Sequence, residues 1–254
     1  MLQVCSLASG SSGNAYLFCT KETTFLVDAG ISWRRITRRL SELGRPRINA
    51  ALITHEHIDH VRALNQMNKE GIPIYMSKGT LNACRSLYGD FQTRIIKAKE
   101  NFRIGDAEVI PYSKCHDAIE PLNYAITHEG RTVSFMTDLG CLCRDAKEMI
   151  SLSDAIFLES NHDIDMLKQG RYPALLKQRI LGRFGHLANE DAALGTLENA
   201  SPKLRHVFLS HLSECNNTPN LALATFKNIV KERRDLKIDC RISPRHRMSE
   251  MICI

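Results

Sequence analysis

The sequence contains no apolar run approaching the ~18 residues that a membrane-spanning helix needs. Its first residues, Met1-Leu2-Gln3-Val4-Cys5, lack the basic stretch and apolar segment of a secretory leader and read instead as an opening strand. The cytoplasm is therefore the expected compartment, with no membrane partner. Disulfide spacing is absent too. The nine cysteines are scattered, their number is odd, and the close pair Cys141 and Cys143 has no second pair to complete a zinc site. Free thiols in a reducing compartment are expected. There is no internal repeat, low-complexity tract or linker, and the single tryptophan, Trp33, suggests no role.

What is present is an ordinary globular composition, 43% hydrophobic and 24% charged over 254 residues. That length suits one large α/β domain or two small ones, and residues 1–254 are read here as a single domain. The formal charge of +6 tilts slightly toward a polyanionic partner such as nucleic acid. Oligomeric state is left open.

Strand-like and helix-like segments alternate to the end. Strands are expected at Val4–Leu7, Ala15–Phe18, Thr24–Val27, Ala50–Ile53, Pro73–Met76, Thr93–Lys97, Ala107–Tyr112, Leu122–Thr127, Thr132–Met136, Ala155–Leu158, Val207–Leu209 and Lys237–Ile242. Helices are expected at Ser32–Leu43, His60–Lys69, Lys78–Tyr88, within 163–200, and at Asn220–Arg234. This β-rich start with interspersed helices favours a layered α/β sandwich over a doubly wound parallel sheet. Asp28, His55, His116, Asp138, His162 and His211 recur just beyond apolar strands, where a rigid scaffold can gather side chains.

The densest chemistry is His55-Glu56-His57-Ile58-Asp59-His60. On a helix His55 and His57 would diverge, whereas on an extended segment positions i and i+2 share a face. Both can thus meet one cation only from a loop, leaving Asp59 and His60 to face a second. Imidazole and carboxylate suit zinc, manganese or iron. Two such ions about 3.5–4 Å apart can clamp the attacking and leaving oxygens of a displacement and activate a water. About seven ligands are needed; His116, Asp138 and His211 are the remaining candidates.

Together, Asp28, His55-x-His57-x-Asp59-His60, His116, Asp138 and His211 resemble the ordered motifs of metallo-β-lactamase-fold hydrolases. The resemblance implies a four-layer αββα sandwich. It implies His55, His57 and His116 on one cation, Asp59, His60 and His211 on another, Asp138 between them, and Asp28 orienting a ligand histidine. A bridging aspartate points to phosphodiesterases rather than β-lactamases, although thioesterases share these ligands. More narrowly, Leu7-Ala8-Ser9-Gly10-Ser11-Ser12-Gly13-Asn14, Val27-Asp28-Ala29-Gly30, Thr54-His55-Glu56-His57, Glu159-Ser160-Asn161-His162, Gly185-His186-Leu187-Ala188-Asn189 and Ser210-His211-Leu212-Ser213 resemble the YycJ (WalJ) group of DNA exonucleases, which work from the 5′ end with zinc or manganese. Ala188 departs from the serine expected there.

Carried over, the resemblance makes Asp59, His186 and His162 candidate catalytic groups, either histidine being able to protonate a leaving oxygen. Ser9, Ser11, Ser12 and Asn14 lie in a glycine-bearing turn able to approach phosphate, and Asn189 is either a substrate contact or the cap of a following helix. Arg34, Arg35, Arg38, Arg39, Arg241, Arg245 and Arg247 are read as a solvated basic surface. The expected function is a dinuclear-metal phosphodiesterase, a 5′-to-3′ DNA exonuclease. A small-molecule phosphodiester or thioester hydrolase and a non-catalytic nucleic-acid-binding module stay open beside it.

Overall fold

The computed structural model describes residues 2–254. Its elements run β1 (Gln3–Ala8), β2 (Ala15–Cys19), β3 (Thr24–Val27), α1 (Trp33–Glu42), β4 (Ala50–Leu52), α2 (Ile58–Val61), α3 (Leu64–Lys69), β5 (Ile74–Met76), α4 (Lys78–Tyr88), β6 (Thr93–Ile95), β7 (Phe102–Ile104), β8 (Ala107–Ser113), β9 (Leu122–His128), β10 (Arg131–Met136), α5 (Arg144–Leu152), β11 (Ala155–Glu159), α6 (Ile164–Gln169), α7 (Ala174–Leu181), α8 (Asn189–Asn199), β12 (His206–Ser210), α9 (Pro219–Val230), β13 (Asp239–Ile242) and β14 (Ile252–Cys253). The strands form two mixed sheets, as expected for the α/β class. No helix among the described residues is long and apolar enough to cross a membrane.

The chain divides into two compact units, Met1–Ser113 with Ala118–Arg131 and Pro244–Ile254, and Lys114–Asp117 with Thr132–Ser243. In the first, one sheet has the order β14-β1-β2-β3-β4-β5-β6. Its run from β3 to β6 is parallel, so the ends of β3 and β4 point the same way and deliver Asp28 beside Thr54. Ile36 and Leu40 of α1, Leu64 and Met67 of α3, and Leu81 and Cys84 of α4 cover that sheet and complete its core. The antiparallel meander β7-β8-β9 also belongs to this unit.

In the second unit β10, β11, β12 and β13 form a parallel ladder. Strands buried on both faces read as continuous apolar runs, which is what Ala155–Leu158 is. Phe135, Phe157 and Phe208 lie directly opposite one another and stack at 5.0 and 4.5 Å. Burying each ring contributes roughly 1.5–3 kcal/mol and fixes the register. That register sets Glu159 opposite Ser210, so the carboxyl ends carrying Asp138, Glu159 and His211 emerge together.

Several boundaries differ from expectation. The helix expected over His60–Lys69 is two short helices, α2 and α3. The amide of Ala63 turns to the Ala29 carbonyl, and the Asp59 carbonyl accepts from Asn14, so the helical bond between those groups never forms. The helix expected to reach Arg234 stops at Val230, and the final expected strand begins at Asp239. Strands β7 and β14 were not expected; the first is three residues long and the second two, too short for a visible alternation.

Candidate metal centre

In the first unit, β3 is followed by Asp28, whose φ of 63° lies in the left-handed region that few non-glycine residues adopt. The turn aims the fully buried carboxylate back at the end of β4. Asp28 accepts from the Thr54 amide (2.8 Å), the Thr54 hydroxyl (3.0 Å) and His60 Nδ1 (2.7 Å). Proton accounting then follows. The Thr54 hydroxyl donates to Asp28, so it accepts from His55 Nδ1 at 2.8 Å, which leaves the Nε2 lone pair of His55 pointing forward. His60 gives its Nδ1 proton to Asp28, and its Nε2 accepts from the Asn14 amide at 3.1 Å. His55 Nε2 meets His57 Nδ1 at 3.1 Å, and Asp59 Oδ2 lies 3.5 Å from His60 Nε2.

The serine-glycine turn holds this loop from below. Asn14 Oδ1 accepts from the Gly10 amide and the Tyr16 hydroxyl, which itself accepts from Ser9. Ser9 and Asn14 are buried and turned inward, whereas Ser11 is exposed, its hydroxyl 3.3 Å from Arg245 Nη1, and Ser12 is half-buried.

In the second unit, Asp138 and His211 again leave strand ends with left-handed φ, both 56°. His116 gives Nδ1 to the Gly185 carbonyl (3.1 Å), and its Nε2 lies 3.8 Å from Asp138 Oδ1. Burial pushes the His116 imidazole down to about 4, which keeps it neutral and able to ligate near neutral pH. The hub is Glu159. One carboxylate oxygen accepts from both His186 Nδ1 and His211 Nδ1, each at 2.8 Å, and the other accepts from the Leu139 amide. Burial alone would push this carboxyl up, but the neighbouring His186 and the hydrogen bonds from His186 and His211 outweigh it and hold it at about 2. One ligand atom from each of Asp138, Glu159, His186 and His211 lies within 4.8 Å of the others.

These sets fit divalent cations. Three imidazoles have one ring nitrogen engaged by a buried carboxylate, either Asp28 or Glu159, which fixes the tautomer and ring orientation that ligation requires. Glu159 was not anticipated as a site residue. Its signals were a carboxylate closing an otherwise apolar strand and its place at the head of the motif Glu159-Ser160-Asn161-His162. One expectation is corrected. Asn189 does not cap α8, because Ala188 occupies the cap position. Its buried amide is instead locked to Ser160 (2.6 Å) and reciprocally to Asn217 (3.0 and 2.9 Å). His162 is 1% exposed, and neither ring nitrogen has a partner among the described residues.

Residues 23–211 match the model of the β-lactamase superfamily domain. The chain belongs to this superfamily. Within it, the chain is 37% identical to an exodeoxyribonuclease YycJ of Bacillus anthracis, over 89% of this chain and 88% of that protein. It is 34% identical to an exodeoxyribonuclease WalJ of Streptococcus pneumoniae, over 87% and 86%. The metallo-β-lactamase-fold protein YhfI of Bacillus subtilis superposes with a TM-score of 0.73 at 16% identity, covering 98% of each chain. Zinc-bound PqqB of Methylobacterium extorquens gives 0.72 at 17%, covering 99% of this chain and all of the other. These likenesses establish the metallo-β-lactamase fold for this member of the superfamily.

Proposed function

We propose that this chain is a metal-dependent phosphodiesterase, a DNA exonuclease that removes nucleotides from the 5′ end. The observation that carries the reading is the 37% identity, over nearly the full length of both chains, to a protein named an exodeoxyribonuclease. The carboxylate-backed histidines of each unit supply the chemistry that such an activity needs. In this reading residues 1–254 act as one domain in the cytoplasm. His55, His57 and His116 would hold one divalent cation, Asp59, His60 and His211 would hold a second, and Asp138 would serve both. Zinc and manganese both suit that donor set.

Bound divalent cations would lower the pKa of water and neutralise charge on a phosphate. The chain's own residues do the rest. Glu159 holds His186 with Nε2 directed away from the carboxylate, and the side chain is 22% exposed, so we assign it the proton delivered to the leaving oxygen. Buried His162 is the poorer donor. Ser11, Ser12 and the backbone of their turn bind phosphate oxygens, while Ser9 and Asn14 hold the turn and the His60 ring in place.

The test uses the purified chain with zinc, manganese or magnesium, on single- and double-stranded DNA and RNA labelled at either end. Metal-dependent release of nucleotides from the 5′ end of DNA is expected, and its loss in Asp138→Ala and His57→Ala. Intact DNA under every metal, or undiminished digestion by both variants, would overturn the reading.

A further inference from the structure

Arg245 was expected to belong to a solvated basic surface, and Arg247, two residues on, is indeed exposed. Arg245 is different: it is half-buried, and its guanidinium is seated on the serine-glycine turn of the first unit. A Cβ built on Gly10 would lie 3.0 Å from Arg245 Nη1, 3.1 Å from Cζ and 3.4 Å from Nη2. Such similar distances mean that the guanidinium plane meets Gly10 broadside, not by its edge. Gly10 has a φ of 137°, which L side chains rarely adopt, and its missing Cβ leaves the space that the guanidinium takes. Nη1 also reaches the exposed Ser11 hydroxyl at 3.3 Å. The turn in turn touches the candidate cation ligands. The Gly10 amide donates to Asn14 Oδ1 (2.9 Å), and Asn14 Nδ2 lies 3.1 Å from His60 Nε2 and 3.3 Å from Asp59 Oδ2. One asparagine side chain thus separates the glycine under Arg245 from Asp59 and His60.

Anchoring the C-terminal segment does not require this side chain, because backbone bonds already do so. The Pro244 carbonyl accepts from the Ser9 amide (3.1 Å), the His246 carbonyl from Arg39 Nη2 (2.6 Å), and the Ser6 carbonyl from the Ser249 amide (2.9 Å). The Ser249 hydroxyl accepts from the Ser6 amide at 2.9 Å. A guanidinium is a planar fork of five N–H donors that suits a pair of phosphate oxygens, and holding it in place beforehand lowers the ordering cost of binding. We propose that Arg245, with the Ser11 hydroxyl beside it, binds a backbone phosphodiester of the DNA strand that enters the site. This rests on the nuclease reading for its substrate and adds to it a positive charge fixed beside the serine turn.

The test is equilibrium binding at several salt concentrations, read by fluorescence anisotropy and independent of turnover. The full-length protein as purified is titrated with single- and double-stranded oligonucleotides whose 5′-terminal linkages are phosphorothioates, which keep them intact. In a second series one of those linkages at a time is a neutral methylphosphonate. Arg245→Met is expected to weaken binding of the fully charged strand about tenfold and to lower the slope of log K against log salt by about one. Arg245→Lys should restore the slope. Neutralising the contacted linkage should bring wild type down to the affinity of Arg245→Met and leave that variant unchanged. Equal affinity of wild type and Arg245→Met for the charged strand would overturn the proposal. So would a loss that persists undiminished at every neutralised linkage, which would mark a structural effect. A dependence on Arg245 that vanishes only when the 5′-terminal phosphate is removed would move the contact to the end group and overturn its assignment to the backbone. Arg245-dependent binding without cleavage of unmodified DNA would uphold the contact while refuting the nuclease reading; cleavage without that dependence would do the reverse.

Discussion

Asp28 and Glu159 perform the same task in the two units. Each is a buried carboxylate whose stabilisation comes from N–H and O–H donors and whose function is to fix imidazole rings. Replacing Glu159 by Gln keeps the shape but sets an amide N–H₂ or a weaker acceptor against two imidazole donors. Metal affinity is expected to fall by about 10–100-fold with the circular-dichroism spectrum unchanged, measured by competition with a chelator. Asp28→Asn tolerates the left-handed backbone yet loses a charge-assisted acceptor from three donors. A destabilisation of about 1–3 kcal/mol is expected in urea melts. Asp28 was legible as a polar residue following an apolar strand, and its orienting role was legible through the family resemblance. Glu159 closes one equally well, but in the motif Glu159-Ser160-Asn161-His162 it was the histidine that drew the functional reading. Nothing local reveals that this carboxylate would receive two histidines distant in the chain.

Among the elements, those with an apolar stripe or a long apolar run were legible, including α1, α4 and the central strands. The break between α2 and α3 was not, because it is made by tertiary backbone bonds from Asn14 and to Ala29. That break gives the site its shape: it turns Asp59 and His60 out of a continuous helix and seats their backbone against Gly30. A Cβ on Gly30 would overlap the Asp59 carbonyl oxygen. Gly30→Ala is thus expected to abolish metal binding and destabilise the first unit by several kcal/mol, read by calorimetry and metal analysis. At the far side of the same loop system, buried Arg39 donates to the carbonyls of Leu7 and His246. Arg39→Met should speed amide hydrogen exchange at residues 7–10 and 246–249 well before it affects the rest of the unit.

At the scale of the molecule, acid should destabilise the metal-free protein in two windows. Burial pushes His162 from 6.5 down to about 4. The unfolded chain therefore binds the proton first, so stability present above 6.5 is lost as pH falls toward 4. His116, also lowered to about 4, adds to this slope. His162→Leu should flatten it, as measured by urea titration at several pH values in chelator. Glu159, held at about 2 against an ordinary 4.5, contributes stability above 4.5 that is lost as pH falls through 2.

The proposed cation ligands are tested most directly by elemental analysis of the purified chain and its variants. Two divalent ions per wild-type chain are expected, with fewer than two retained by His57→Ala, altered in the first unit, and likewise by His211→Ala, altered in the second. A wild-type chain that holds no ion under any supplied metal, or variants that still hold two, would contradict that assignment.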